Sequence, residues 1–268
     1  MMNERSSPIY PRPTVSQVIF QIRYPNLFMI EDRIGDFQSL IIDKFPESSL
    51  IIRKQLFIAD YVDKIDIKTI PTDEQFARKI WRFKSEEENY VLGVSTSSLD
   101  ITSEHHKSFN PINNEDGFRN IIKFAVDNFF DIIPIKKIKR IGLRYIDDCP
   151  IPSKETVEFK NWYNTVLPLE RFNLNEVGSM IFETKKVKKG NYYLNYRENF
   201  VPVTSEGTKY KFYLDFDSYK EDVDPIDYIE ILDDLYKIIH QEWEDSIKQP
   251  VKNWMNKLIE VETNDSET

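Results

Sequence analysis

Residues Val18–Tyr24 read VIFQIRY, and this stretch decides the fold of the chain. Apolar and aromatic residues alternate with polar ones, which predicts a β-strand that buries one face and leaves polar side chains on the other. Residues Ile141–Tyr145 read IGLRY and again place an arginine between an apolar and an aromatic residue. Two strands of one kind, one in each half of the chain, suggest a repeated unit.

A second pair of stretches follows the first pair in the same order. Leu99–Ile101 reads LDI and Leu214–Phe216 reads LDF, so that an aspartate lies between apolar neighbours in each half. The two aspartate stretches are separated by nearly the same length of chain as the two arginine stretches. Related pairs in one order and at one spacing predict an internal duplication whose halves pack about a pseudo-twofold axis.

The predicted elements around these stretches indicate the fold class. Strands cluster between helices instead of alternating with them singly, which is typical of an α+β fold with a mainly antiparallel sheet. We expect duplicated β-α-β-β-β-α units that form one large sheet with the helices on one side. Residues 1–134 would form the N-terminal half, with an extended arm at 1–13. Residues 135–268 would form the C-terminal half, with terminal helices and a frayed tail at 262–268.

Three local predictions concern strand and helix ends. Tyr90–Thr102 is predicted as one strand. The acidic pair Asp147-Asp148 is predicted to lie in a turn, where a strand gives way to the following proline. The last long helix is predicted to begin at Asp224 as its N-cap, because Pro225 follows at the first helical position.

The composition is that of an acidic, well-ordered globular protein. Hydrophobic residues make up 40% of the chain and aromatic residues 13%, which argues against disorder. The net charge of −9 makes nucleic acid a disfavoured partner, and the 7 glycines form no nucleotide-cradling motif. The single cysteine, Cys149, fits a reducing cytoplasm. No apolar stretch approaches the roughly 18 residues of a membrane span. We expect a cytoplasmic protein without membrane contact.

Several motifs resemble those of a sporadically distributed family of uncharacterised bacterial and archaeal proteins of about this length. The similar segments are a proline-led first strand, a mid-chain strand, a late strand and a closing helix: Pro13–Pro25, Arg140–Ile146, Leu214–Asp217 and Leu232–Leu235, continuing through Trp243 and Trp254. The chain departs from the family at Ser16, where an acidic residue is expected, and at Tyr236, where histidine is expected. The resemblance implies no established activity, and the patchy distribution implies a context of mobile elements or antiviral defence.

The candidate site consists of the repeated charged residues: Arg23, Arg144, Asp100, Asp215 and Asp217. Three interpretations are open. The arginines and aspartates can pair across neighbouring strands as partly buried forks that fix the strand register. The same groups can line a binding groove for a peptide carboxylate or another polar ligand. The carboxylates can instead hold Mg²⁺ for phosphoester hydrolysis, although two-metal sites usually need three or four acidic ligands and a base.

We expect a non-enzymatic binding or accessory protein that recognises a protein partner, a second copy of itself or a polar ligand. The motive is an ordered, aromatic-rich, acidic chain without a recognisable catalytic constellation, and no cofactor is predicted. The alternative is a metal-dependent phosphoesterase or nuclease that uses Asp100, Asp215 and Asp217.

Overall fold

The computed structural model describes the central part of the chain and most of its connections. The described residues are 10–54, 77–86, 90–104, 109, 117–203 and 209–257. The predicted tail at 262–268 and the first nine residues of the predicted arm lie outside these ranges.

Within the described ranges the chain forms one nine-stranded sheet. Its strands are β1 (Val15–Arg23), β2 (Glu47–Lys54), β3 (Ala77–Lys84), β4 (Tyr90–Ser95), β5 (Ser98–Ser103), β6 (Ile138–Cys149), β7 (Met180–Lys188), β8 (Tyr192–Pro202) and β9 (Tyr210–Val223). The order across the sheet is β2-β3-β4-β5-β1-β6-β9-β8-β7, and all neighbouring strands are antiparallel. The predicted α+β class with a mainly antiparallel sheet is confirmed.

The helices pack against one face of this sheet, which we call the helix face. They are α1 (Ile30–Ile41), α2 (Phe118–Ile132), α3 (Thr156–Trp162), α4 (Tyr228–Ser246) and α5 (Gln249–Met255). Ring contacts tie the first three to it: Phe37 packs on Phe83, Phe118 on Tyr90, and Phe159 on Phe212. Helix α4 lies along β6, β8 and β9. None of the described helices is both long and apolar enough to span a membrane.

The centre of the sheet is the antiparallel pair β1–β6, formed by the two stretches that the sequence singles out. Phe20 lies opposite Leu143, and Ile22 opposite Ile141; all four side chains are buried on the helix face. One hydrophobic cluster contains residues of both predicted halves. Burial of each large apolar side chain contributes about 2 kcal/mol, so this central pair holds the two halves together as one core.

The predicted single strand Tyr90–Thr102 is wrong. The chain turns back at Thr96 and Ser97, so that β4 and β5 form a tight hairpin in which Ser95 lies opposite Ser98. The hydroxyl of Ser95 accepts hydrogen bonds from the backbone N–H groups of Ser97 and Ser98. Serine side chains can close turns in this way without Gly, Pro or Asn, so the usual turn signals are missing from the sequence.

The predicted turn at Asp147-Asp148 is also wrong, because β6 continues to Cys149. Asp147 lies on the helix face, is fully buried, and accepts a hydrogen bond of 2.6 Å from the hydroxyl of Thr14. Asp148 points to the opposite face, where Lys211 binds it. Burial raises the pKa of Asp147 to about 6, and the Thr14 hydrogen bond opposes this shift.

The predicted start of the last long helix agrees with the structure. The carboxylate of Asp224 accepts a hydrogen bond from the backbone N–H of Ile226, as expected of an N-cap, and a short 3-10 turn leads into α4.

The described part of the predicted arm crosses the end of the helical layer. There the guanidinium of Arg12 lies 4.2 Å above the ring of Trp254.

Asp147 gives the fold a pH dependence of definite sign. Because its folded pKa of about 6 lies above the unfolded value of 3.8, its protonated form favours folding, and this contribution is lost as the pH rises through 6. We expect Asp147→Asn to gain about 2 kcal/mol relative to the natural protein between about pH 4.5 and about pH 7.5. Urea unfolding of both proteins at the two pH values measures this difference.

Thr14→Val provides the matching variant for this measurement. It removes the hydroxyl that stabilises the charged form of Asp147, so the pH dependence of its free energy of unfolding should be steeper than in the natural protein. A difference between Asp147→Asn and the natural protein that stays constant over the two pH values would contradict the raised pKa.

Candidate functional site

The candidate site lies on the face of the sheet that the described helices leave uncovered, which we call the open face. Strand alternation assigns it Gln21 and Arg23 from β1, as the sequence predicts, and Arg140 and Arg144 from β6. Arg23 and Arg140 lie opposite each other in the β1–β6 register. The open face therefore carries rows of polar and charged side chains that run across the strands.

Arg144 and Asp215 form a bidentate fork between β6 and β9. Nε and Nη2 of Arg144 donate to the two carboxylate oxygens of Asp215 at 2.8 and 2.6 Å. The hydrogen bond to Asp215 raises the pKa of Arg144 above its ordinary value, and partial burial opposes this shift. Arg197 on β8 approaches the same carboxylate at 3.5 Å and also pairs with Glu183 on β7 at 2.8 Å. These ion pairs therefore connect side chains of four neighbouring strands, β6, β9, β8 and β7.

A second set of contacts runs beside this fork. Nη2 of Arg140 donates to both oxygens of Asp217 at 2.7 and 2.9 Å, and the amide of Asn195 donates to Asp217 at 3.1 Å. Arg140 also lies 4.4 Å above the ring of Tyr219. Gly142 leaves the room for this, because a methyl group at Gly142 would lie 2.8 Å from Nη1 of Arg140.

We call these residues the Arg–Asp network. Its members are Arg140, Arg144, Glu183, Asn195, Arg197, Asp215 and Asp217. Within it the arginines and aspartates of the C-terminal half pair across neighbouring strands as partly buried forks. Such charge-assisted contacts fix the register of strands that present polar side chains to solvent.

The structure does not bring the five predicted residues together. Arg23 is exposed and donates a hydrogen bond of 2.6 Å to Gln21. Asp100 lies on β5, and β1 and β6 separate it from the strand of Asp215 and Asp217. Three interstrand spacings correspond to about 14 Å, too far for these three carboxylates to share one ion. Within the described ranges no three His, Cys, Asp or Glu side chains are grouped to hold a metal ion.

The N-terminal half of the open face differs from the C-terminal half because it contains a cavity. A cavity of 650 Å³, which we call the groove, is lined by residues of β1 to β5 and of the segments next to them. Its polar side chains are those of Gln17, Gln21, Arg82, Lys84, Ser85, Ser95, Ser98, Asp100, Thr102 and Glu104, and its apolar ones include Ile19, Ile51, Ile80 and Val91. This volume falls in the range of small-molecule sites, but the lining is more polar than most of them.

Charges are arranged across the groove in a definite order. The register places Arg82 on β3 opposite Gly93 on β4, and Gly93 opposite Asp100 on β5. A methyl group at Gly93 would lie 2.7 Å from Oδ2 of Asp100, so the carboxylate extends over the glycine. Among the described residues the charged side-chain groups of Arg82 and Lys84 have no ion-pair or hydrogen-bond partner. The groove therefore has cations along one side and carboxylates along the other.

Of these charged groups, the sequence interpretation singles out Asp100 but not Arg82. The missed signal is the stretch Trp81-Arg82-Phe83, which places an arginine between aromatic neighbours just as Arg23 and Arg144 lie between apolar and aromatic ones. Gly93 gives a second signal, because a glycine inside a strand often marks a place that another group approaches closely.

No protein-family model matches this chain, and no curated protein is a significant match to it. The fold and the open face define it as an α+β protein with one face of its sheet covered by helices and the other face polar and partly hollow. The chemistry of that open face is the basis for assigning a function.

The Arg–Asp network makes a testable contribution to stability. We expect Asp215→Ala to lower the free energy of unfolding by about 2 kcal/mol, because it leaves both Arg144 and Arg197 without this carboxylate. Arg144→Ala should cost about 1 kcal/mol, since its side chain is 37% exposed and Arg197 still approaches Asp215. Urea unfolding of both single variants and of the double variant gives the coupling energy.

The double variant should be more stable than the sum of the two single losses predicts, by about 1 kcal/mol. Strictly additive losses would mean that the fork between Arg144 and Asp215 contributes nothing to the folded state.

Proposed function

We propose that this chain is a non-enzymatic binding protein that recognises a polar ligand in the groove on the open face of its sheet. The observation that carries this proposal is the 650 Å³ cavity, because its lining includes two cations without partners among the described residues. A guanidinium that is already in place and unpaired can bind a carboxylate or phosphate without first breaking a contact of the folded protein.

The distribution of carboxylates supports binding over metal-dependent hydrolysis. Asp215 and Asp217 are occupied by arginines of the Arg–Asp network, and Asp100 lies on a distant strand. A divalent cation at Asp215 would have to compete with the bidentate fork from Arg144. The two aspartates therefore serve the sheet better as register-fixing partners than as metal ligands.

A protein partner, or a second copy of the chain, is the other occupant that we propose for the open face. It is supported by two apolar side chains on the edge strand β7, Ile181 and Val187, which are 64% and 69% exposed. Alternation places both on the open face beside Glu183 and Lys185. Exposed apolar side chains bordered by charged ones are typical of a protein interface, in which an apolar core is surrounded by a polar rim.

We also propose that the two halves are a duplicated unit, and that the chain is a cytoplasmic relative of the sporadically distributed family that its motifs resemble. The sheet order supports the duplication. In each half the first strand lies at the centre and pairs with the last strand of its half, β1 with β5 and β6 with β9. A role in defence or on mobile elements rests on the resemblance alone.

A groove-filling variant tests the proposed function. Thr102 lies in the groove on β5 and Asn199 lies on the same face of β8, and both are half-buried. We expect the natural protein, dialysed against a small-molecule extract of its host, to retain a polar compound that mass spectrometry detects. Thr102→Trp should lose this compound because the indole occupies the cavity, and Asn199→Trp should retain it.

Circular dichroism of both variants checks that each one is folded. Equal retention by the two tryptophan variants, or no compound enriched by the natural protein, would contradict a ligand site in the groove.

A further inference from the structure

The groove contains a separation of charge that restricts which polar ligands fit it. Its positive groups, Arg82 and Lys84, lie on β3. Its negative groups, Asp100 and Glu104, lie on β5 and immediately after it. Strand β4 lies between them and contributes Val91 and Gly93 to the floor of the cavity, neither of which carries a charge.

Gly93 makes room for the negative side of the groove. Because it has no side chain, the carboxylate of Asp100 extends over it, and a methyl group at Gly93 would lie 2.7 Å from Oδ2 of Asp100. Arg82 lies opposite Gly93 on the neighbouring strand, so the row that contains Asp100 on β5 continues to a cation on β3. A molecule bound in the cavity over this row meets a positive group toward β3 and a negative group toward β5.

We propose that the ligand of the groove is a small zwitterion with a free carboxylate and a free ammonium group, of the chemical class of amino acids and short peptides. This inference rests on the proposed function and specifies its ligand. Arg82 receives the carboxylate in a bidentate contact, with Lys84 adding positive potential. Asp100 receives the ammonium, and an ionised carboxylate has enough acceptor positions to do so while it keeps another contact.

The remaining lining agrees with this polarity. Gln17 and Gln21 on β1 and Thr102 on β5 offer both donors and acceptors at the negative side. A ligand with two negative charges would place one of them against Asp100 and Glu104, and a ligand with two positive charges would place one against Arg82 and Lys84. Either arrangement is repulsive. An acyl chain would leave the charged groups of the groove without solvent or partners.

Isothermal titration calorimetry tests the inference. The natural protein is titrated with each of the twenty free amino acids and separately with diglycine and dialanine, so that binding of amino acids is distinguished from binding of short peptides. We expect at least one of these probes to bind with an affinity in the micromolar to millimolar range. Its N-acetylated form and its C-terminal amide, each of which lacks one charge, should both bind at least about tenfold more weakly.

Two variants assign the charges to residues. Arg82→Gln should weaken the parent probe at least about tenfold and should no longer distinguish it from its C-terminal amide. Asp100→Asn should likewise no longer distinguish the parent from the N-acetylated form. Lys185→Gln removes a positive charge from the open face at β7, outside the groove, and should bind like the natural protein.

Failure of all these probes to bind, or an acetylated or amidated form that binds as tightly as its parent amino acid or dipeptide, would overturn the zwitterion. The proposed function would still stand if the compound retained by Asn199→Trp and lost by Thr102→Trp lacked one of the two charges. The zwitterion and the proposed function would both be contradicted if Thr102→Trp weakened the binding of no compound that the natural protein binds.

Discussion

The antiparallel pairing of β1 with β6 is the constraint on which the rest of the structure depends. It joins a five-stranded half to a four-stranded half, and its register decides which side chains of both halves reach the helices. A shift of one residue in this pairing would place Phe20 and Leu143 on opposite faces of the sheet, so that the apolar set of one of the two strands would be exposed. The burial of these alternate side chains is what makes the sheet continuous across the two halves.

This pairing also determines what the open face must contain. Because the described helices cover only one face, most of the other side chains of the same strands are polar or charged. Charged groups that face each other on neighbouring strands need partners, and the C-terminal half provides them within the sheet through the forks at Asp215 and Asp217. Gly142 has its place in this arrangement, since Arg140 crosses it to reach Asp217.

The sequence predicts this alternation well because period-two patterns are a local property. The face shared by Gln21 and Arg23 and the N-cap at Asp224 both follow from residues within a few positions of one another, and the fold class follows from the order of such local elements along the chain. The hairpin at Ser95 and Ser98 was missed because its turn is closed by hydroxyl groups, without the residues that usually mark a turn.

The site was harder to predict, because it depends on which strands become neighbours. Arg23 and Asp100 belong to one half and lie on paired strands, yet the register places Gln21 opposite Asp100 and leaves Arg23 beside Ser98. To predict the groove, one must know that β3, β4 and β5 are consecutive in the sheet and that Gly93 lies in the same row as Arg82. No local pattern contains this information.

The number of strands between an arginine and an aspartate explains why the same residue types have different roles in the two halves. Arg144 and Asp215 lie on adjacent strands, so their side chains meet directly, and a ligand at Asp215 would first have to displace a bidentate contact. Loss of this partly exposed fork costs about 1 kcal/mol. Arg82 and Asp100 are separated by β4, and the residue between them is a glycine. Among the described residues the guanidinium of Arg82 has no hydrogen bond or ion pair, so a ligand can bind it without displacing a contact of the kind that Arg144 makes, and this favours the groove over the Arg–Asp network as the binding site.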